Sequence, residues 1–134
     1  MKLLSKPTTN YKANKNIKLG YHTYFLSLAH SDISGYNVCP MANKLKAKEN
    51  NKNKSSCSSV CVGYNGYAGI YKSIMEARVR KTKLFFENRD LFFEYLIKDI
   101  QSAIKSSTKK GLIPTFRLNS YSDIKYENIK VNYN

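Results

Sequence analysis

Two short apolar segments near the two ends of the chain most constrain its fold. Residues 21–28 and 112–118 are rich in aromatic and branched side chains, which is typical of short buried strands. Two helical patterns lie between them, and a strand–helix–strand order is typical of parallel pairing. We therefore predict an α/β fold, a small domain with a short parallel sheet and two main helices. A complete eight-stranded barrel needs roughly 200 residues or more, so the 134 residues would resemble part of a β/α barrel.

The two helical patterns are separated by a capping signal. Apolar residues recur at helical spacing over residues 67–86, and Asn88 is then a good N-cap with Asp90 in the first turn of a second helix. Gly111 is a natural stop. The apolar stripe of the second helix consists of Phe92, Phe93, Leu96, Ile97, Ile100 and Ile104. The sequence thus predicts two consecutive helices before the second strand.

The polar segments set the expected domain organisation. Residues 1–18 are basic and lack an apolar period, so we predict a basic N-terminal arm. Residues 19–134 then form a single α/β domain. A lysine-rich stretch near residues 43–56 has the composition of a solvated insertion, and long loops in small domains are usually functional or disordered.

The net charge is the strongest compositional signal. Lysine and arginine number 23 against 9 acidic residues, a net charge of +14, which favours polyanionic partners such as nucleic acid or an acidic host protein. The candidate nucleic-acid-binding residues are Lys44, Lys46, Lys48, Lys52, Lys54, Arg78, Arg80 and Lys81. An alternative stays open, because 19 lysines against 4 arginines together with 14 asparagines also fit an A/T-rich genome and a solvated surface.

Nothing in the sequence indicates a membrane span or secretion. No stretch reaches the roughly 18 apolar residues that cross a bilayer, and the N-terminus lacks the apolar centre of a secretory signal. Three cysteines, an odd number, argue against a fully paired disulfide framework. We therefore expect an intracellular protein.

Three cysteines in one predicted loop are the sharpest chemical feature. Cys39, Cys57 and Cys61 follow the first strand, and thiolates are preferred ligands of zinc and of iron–sulfur clusters. Three ligands leave one position for His30, His22, water or a substrate. The alternative is three ordinary thiols without a metal.

A second group of candidates follows the second predicted strand. Arg117 and Asn119 alternate with an apolar residue and therefore share a strand face. Asp123 lies four residues further on. Because ligands of open α/β sheets gather at the carboxyl ends of strands, we predict that Arg117, Asn119 and Asp123 bind a cofactor through its carboxylate or phosphate group.

Several short motifs occur together in a fixed order. They are Asn37-Val38-Cys39-Pro40, the Cys57/Cys61 pair, and residues 117–124 with the sequence R-L-N-S-Y-S-D-I. In this order they resemble a family of uncharacterised bacteriophage proteins with N-V-C-P, C-x3-C and R-L-N-x-x-S-D-I segments. The resemblance covers roughly residues 20–128 and implies action in the cytoplasm of an infected host cell.

The same arrangement is distantly similar to radical-SAM enzymes, in which three cysteines after the first barrel strand hold a [4Fe–4S] cluster with S-adenosylmethionine. The spacing here, x17 and then x3, differs from the usual C-x3-C-x2-C. The resemblance implies a truncated radical-SAM-like metalloprotein with either an iron–sulfur or a zinc site. Either a homo-oligomer supplies the missing part, or the activity is lost or different. The residues leave open whether it is an enzyme. A nucleic-acid-binding protein and an inhibitor of an acidic host protein are the alternatives.

Overall fold

A computed structural model describes residues 1–42, 61 and 67–131 as two compact units. Unit 1 comprises Met1–Ser27, Asn88–Ser120 and Val131. Unit 2 comprises the described residues between Leu28 and Glu87, together with Tyr121–Lys130. The lysine-rich stretch predicted near residues 43–56 lies outside the described residues.

Five α-helices and two strands have both ends within the described residues. In chain order these are α1 (Tyr11–Ile17), β1 (Tyr21–Phe25), α2 (Ser31–Ser34), α3 (Tyr67–Ile70), α4 (Lys72–Glu87), α5 (Arg89–Lys109) and β2 (Ile113–Arg117), with 3-10 helices at Pro7–Thr9 and Tyr126–Asn128. Within the described ranges, no helix has both the length and the apolar character that a membrane crossing requires.

The sheet consists of β1 and β2 in parallel. Tyr21 lies opposite Ile113 and Phe25 opposite Arg117. On its other side β1 forms an isolated antiparallel bridge, in which Ser5 and Phe25 exchange backbone hydrogen bonds of 2.8 and 3.5 Å. The predicted α/β fold with a short parallel sheet is confirmed. The likeness to part of a barrel stays a prediction.

Local signals delimit α5 as predicted. The side chain of Asn88 accepts a hydrogen bond from the Leu91 N–H at 3.2 Å, and Gly111 adopts a left-handed φ of +67° just after the helix. The buried stripe differs from the predicted apolar one, because Ile104 is 43% exposed. Ala103 and Ser107 are buried instead, and the stripe therefore contains polar residues that have specific partners.

Residues 1–18, predicted as a basic arm, contribute to the packing of unit 1. Leu3 and Leu4 are buried, and the Asn10 side chain caps α1 by accepting the N–H groups of Lys12 and Ala13. The carboxylate of Asp99 on α5 accepts the N–H groups of Leu3 and Leu4 at 2.7 and 3.0 Å. No local pattern predicts this contact, because it joins residues 96 positions apart.

Unit 2 packs α2 and the segment before it against α4. Thr82 is fully buried; its hydroxyl donates to the Arg78 carbonyl and accepts the Ala29 N–H, both at 2.8 Å. Tyr36 stacks on Phe86 with ring centroids 4.8 Å apart. These contacts order the backbone that leads to Cys39.

Asp99→Ala should lower the free energy of unfolding by about 1–3 kcal/mol, because two partly buried N–H groups lose a charged acceptor. Urea denaturation at pH 7 measures this difference. The control is Asp90→Ala, which removes the same charge from the exposed first turn of α5 and should cost less than about 1 kcal/mol. Equal losses in the two variants would contradict an anchoring role for Asp99.

Candidate functional site

The predicted metal ligands are only partly within the described residues. Cys39 and Cys61 are half-buried, and Cys57 lies outside the described residues. Over residues 1–42, 61 and 67–131, no group of three His, Cys, Asp or Glu side chains is placed to hold a metal ion. The three-cysteine site therefore stays a prediction.

Cys39 lies against the S-D-I segment predicted from the sequence. Its thiol donates to the carbonyl of Tyr121 at 3.6 Å. The Asp123 N–H donates to the Val38 carbonyl at 3.1 Å, and the Asp123 Oδ2 accepts the Met41 N–H at 3.4 Å. Residues 40–42 are helical, so this carboxylate caps the start of a helical turn. The two motif segments are therefore partners in the fold.

Two buried polar atoms near this junction have no hydrogen-bond partner among the described residues. They are the Asp123 Oδ1 and the Tyr126 hydroxyl. Burial also raises the pKa of Tyr126, so that the phenol stays neutral. A buried orphan atom is costly, and an orphan carboxylate oxygen is an available ligand for a cation or a water molecule.

The remaining predicted cofactor-binding residues lie in unit 1. Arg117 is exposed at the end of β2, and Asn119 is half-buried two residues later. Asp123 belongs to unit 2. Two of the three predicted residues thus belong to unit 1 and the third to unit 2. Binding of a cofactor by all three stays a prediction.

The predicted nucleic-acid-binding residues are divided in a similar way. Lys44, Lys46, Lys48, Lys52 and Lys54 lie outside the described residues. Arg78, Arg80 and Lys81 lie on α4. Arg80 is exposed and Lys81 is half-buried, whereas the Arg78 guanidinium lies 4.6 Å from the centre of the Tyr121 ring. Arg78 is therefore held by a cation–π contact within unit 2.

Both histidines weighed as a fourth metal ligand have partners in the fold. His30 is buried and caps α2, where its Nδ1 accepts the Asp32 N–H at 3.1 Å. The Nδ1 of His22 lies 2.8 Å from the Ser107 hydroxyl and 3.1 Å from the Tyr24 hydroxyl. The Ser107 hydroxyl also donates to that of Tyr24 at 3.4 Å. His22, Tyr24 and Ser107 form a closed polar triangle inside unit 1.

The triangle adjoins a cavity of about 180 Å³ in unit 1. The polar residues around the cavity are Lys2, Lys6, Thr8, His22, Tyr24, Asp99, Ser102, Ser106 and Lys110. The only acid among them is Asp99, which already accepts the N–H groups of Leu3 and Leu4. The cavity therefore combines three lysines with one committed carboxylate.

The charge at the cavity acts on His22. Burial, and then the positive charge of Lys110, lower the pKa of His22 below its ordinary value of 6.5. His22 is consequently a neutral imidazole at pH 7. Within the described residues Lys2, Lys6 and Lys110 form no ion pair, so their charges remain available to an anion.

Sequence reasoning missed this cavity because its partners are far apart in the chain. His22 lacks a neighbouring carboxylate in sequence, and its hydroxyl partner Ser107 is 85 positions away. One signal was available in the pattern of α5. The row that begins with the buried residues Phe92 and Leu96 continues at helical spacing through Asp99, Ala103 and Ser107. The polar side chains of Asp99 and Ser107 on this face therefore required hydrogen-bond partners.

The depressed pKa of His22 predicts that acid destabilises the protein. Below pH 6.5 His22 binds a proton in the unfolded protein but stays neutral in the folded protein. The free energy of unfolding therefore decreases as the pH is lowered, until the pH reaches the pKa of His22 in the folded protein. NMR titration of the His22 ring should give a pKa below 6.5. A value at or above 6.5 would contradict the burial argument.

Lys110→Gln removes the positive charge that lowers the pKa of His22 and should therefore raise that pKa. Burial of the ring should still keep the pKa below its ordinary value. The matched control is Lys109→Gln, a neighbouring exposed lysine that does not line the cavity. A larger shift in the control variant than in Lys110→Gln would show that overall charge, and not the lysine at the cavity, acts on His22.

Comparison with known proteins identifies the family. No curated protein and no solved structure matches the chain. The family described as Gene product 88 matches residues 2–132, which is nearly the whole sequence. Membership of a phage protein family is thereby confirmed, while the motifs quoted for that family and the distant likeness to radical-SAM enzymes stay predictions. The chain belongs to the Gene product 88 family of bacteriophage proteins.

Proposed function

We propose that this phage protein binds nucleic acid through the phosphate backbone and that unit 1 supplies the binding charge. The observation that carries the proposal is the cavity of unit 1, which is lined by Lys2, Lys6 and Lys110 without an ion pair among the described residues. Lysines that line one cavity repel one another, and an anion in the cavity would offset that repulsion.

The charge balance of unit 1 supports the same proposal. Its residues include 11 lysines and arginines and 3 acids, a net charge of +8. Two of the acids are already engaged, Asp99 by backbone N–H groups and Glu94 by Lys98 at 2.6 Å. Such a surface attracts phosphate groups by releasing their counterions, and binding of this kind needs no base-specific contact.

Binding to a fluorescently labelled single-stranded oligonucleotide should weaken steeply as salt rises from about 50 to 200 mM. In the variant Lys2→Gln/Lys6→Gln/Lys110→Gln, the slope of log affinity against log salt should become shallower by about two, since each lost contact with a single strand contributes about 0.7. Fluorescence anisotropy measures both quantities. Binding that is absent at low salt would overturn the proposal.

The matched control is Lys72→Gln/Lys83→Gln/Lys125→Gln, which removes the same charge from exposed positions of unit 2. If the two triple variants have equal effects, the nucleic acid is attracted by the overall positive charge and not by a site at the cavity. A third variant replaces the five lysines Lys44, Lys46, Lys48, Lys52 and Lys54 with glutamine. If it alone flattens the slope, the predicted lysine run binds the nucleic acid and the assignment to unit 1 is wrong.

A metal centre that includes Cys39 is a second candidate, favoured by the orphan oxygen of Asp123. The Asp123 Oδ1 is buried without a partner among the described residues, and the same carboxylate binds the backbone two residues after Cys39. Thiolate and carboxylate ligands together suit zinc. Cys39 and Asp123 would supply two ligands, and Cys57 and Cys61 the others, which would make the metal a bound cofactor of unit 2.

Elemental analysis of protein purified without oxygen tests this candidate. One equivalent of zinc or several of iron are expected, together with loss of the metal in Cys39→Ser/Cys57→Ser/Cys61→Ser and weaker retention in Asp123→Asn. His30→Gln serves as the control, because His30 is occupied as the cap of α2. Metal-free wild-type protein would contradict the metal centre and leave nucleic-acid binding unaffected.

A further inference from the structure

We propose that the cavity of unit 1 is a binding site for a phosphate monoester, the phosphate at the end of a nucleic-acid strand. The inference rests on the proposed function and specifies which phosphate the protein recognises. It differs from backbone binding because it requires one phosphate group with three non-bridging oxygens and not a row of diesters along a surface.

Three elements bring one face each to this cavity. In the N-terminal segment, Lys2, Leu4 and Lys6 line the cavity, and Ser5 forms the bridge to β1. His22 and Tyr24 share one face of β1, as alternate strand residues do. The contribution of α5 is one helical face, with Asp99, Ser102, Ala103, Ser106 and Lys110. The lining thus comes from the N-terminal segment, one strand and one helix.

The chemistry of the lining favours a dianion. Lys2, Lys6 and Lys110 supply cationic donors, and the hydroxyls of Ser102 and Ser106 supply neutral ones. A monoester carries up to two negative charges near neutral pH, whereas a backbone diester carries one. A volume of about 180 Å³ holds a phosphate group with its sugar.

His22 makes the site responsive to the ligand. Its Nδ1 is held between the hydroxyls of Tyr24 and Ser107, and the ring lines the cavity. The charged groups around it are Lys2, Lys6, Lys110 and Asp99. In the free protein the positive charge of Lys110 disfavours the protonated ring of His22. A bound dianion would offset this charge, so binding should raise the pKa of His22. The NMR signal of one ring therefore reports occupancy.

The decisive experiment compares four oligonucleotides of one sequence, with a 5′-phosphate, a 3′-phosphate, both or neither. We expect about a tenfold preference for a phosphorylated end at moderate salt, the value of one strong charge-assisted contact. Inorganic phosphate and a nucleoside monophosphate are added separately while the His22 ring is titrated. Each should raise the His22 pKa if the cavity accepts the isolated group.

The outcomes separate the two proposals. Equal binding of phosphorylated and unphosphorylated strands overturns the strand-end site and leaves backbone binding intact. Binding of no oligonucleotide at low salt overturns both proposals. A preference for phosphorylated ends without any change in the His22 pKa overturns the cavity as its location. A preference accompanied by the pKa change supports the site.

Matched variants test the location further. Lys110→Gln should abolish most of the preference for phosphorylated ends, whereas Lys109→Gln should retain it, since Lys109 does not line the cavity. Ser106→Ala should reduce the preference without altering the net charge, and Ser102→Ala should act in the same direction. Circular dichroism establishes that each variant is folded, because all four positions are exposed. Equal behaviour of the two lysine variants would contradict the site.

Discussion

The contact between Asp99 and the N-terminal backbone is the constraint on which unit 1 depends most. One carboxylate oxygen accepts the N–H groups of Leu3 and Leu4 at 2.7 and 3.0 Å. Hydrogen bonds to an ionised acceptor are stronger than neutral ones, and this pair fixes an otherwise irregular segment against α5. The burial of Leu3 and Leu4, the bridge of Ser5 to β1 and the positions of Lys2 and Lys6 at the cavity all follow from it.

The two units use their polar residues differently. In unit 2, Cys39 and Asp123 are bound to the opposite motif segment through Tyr121 and Val38. The N-V-C-P and S-D-I segments therefore complete hydrogen bonds of one another in this fold. In unit 1, by contrast, the lysines at the cavity form no ion pair among the described residues, although Asp99 lines the same cavity. Excess positive charge, more than motif content, indicates where a ligand is to be sought.

Local signals in the sequence predicted the helices and strands, whereas contacts between residues far apart in the sequence could not be predicted. Asn88 and Gly111 delimit α5 through capping and a left-handed turn, which depend on neighbouring residues only. The parallel pairing followed from two apolar segments and the helices between them. The partners of Asp99 and of His22 could not be predicted in this way, because they lie 96 and 85 positions away. The candidate site was missed for the same reason: it consists of such long-range contacts.

The charged side chains around the cavity of unit 1 are not arranged as stability alone would favour. A neutral histidine lies near the positive charge of Lys110, and two more lysines and one carboxylate line the same cavity, so positive charge is in excess there. Proteins retain local conflicts of this kind chiefly where a ligand resolves them. An anion in the cavity would reduce this conflict, since it would offset the charge of the lysines and favour a proton on His22. The cost to the free protein thus becomes a source of affinity for a doubly charged phosphate.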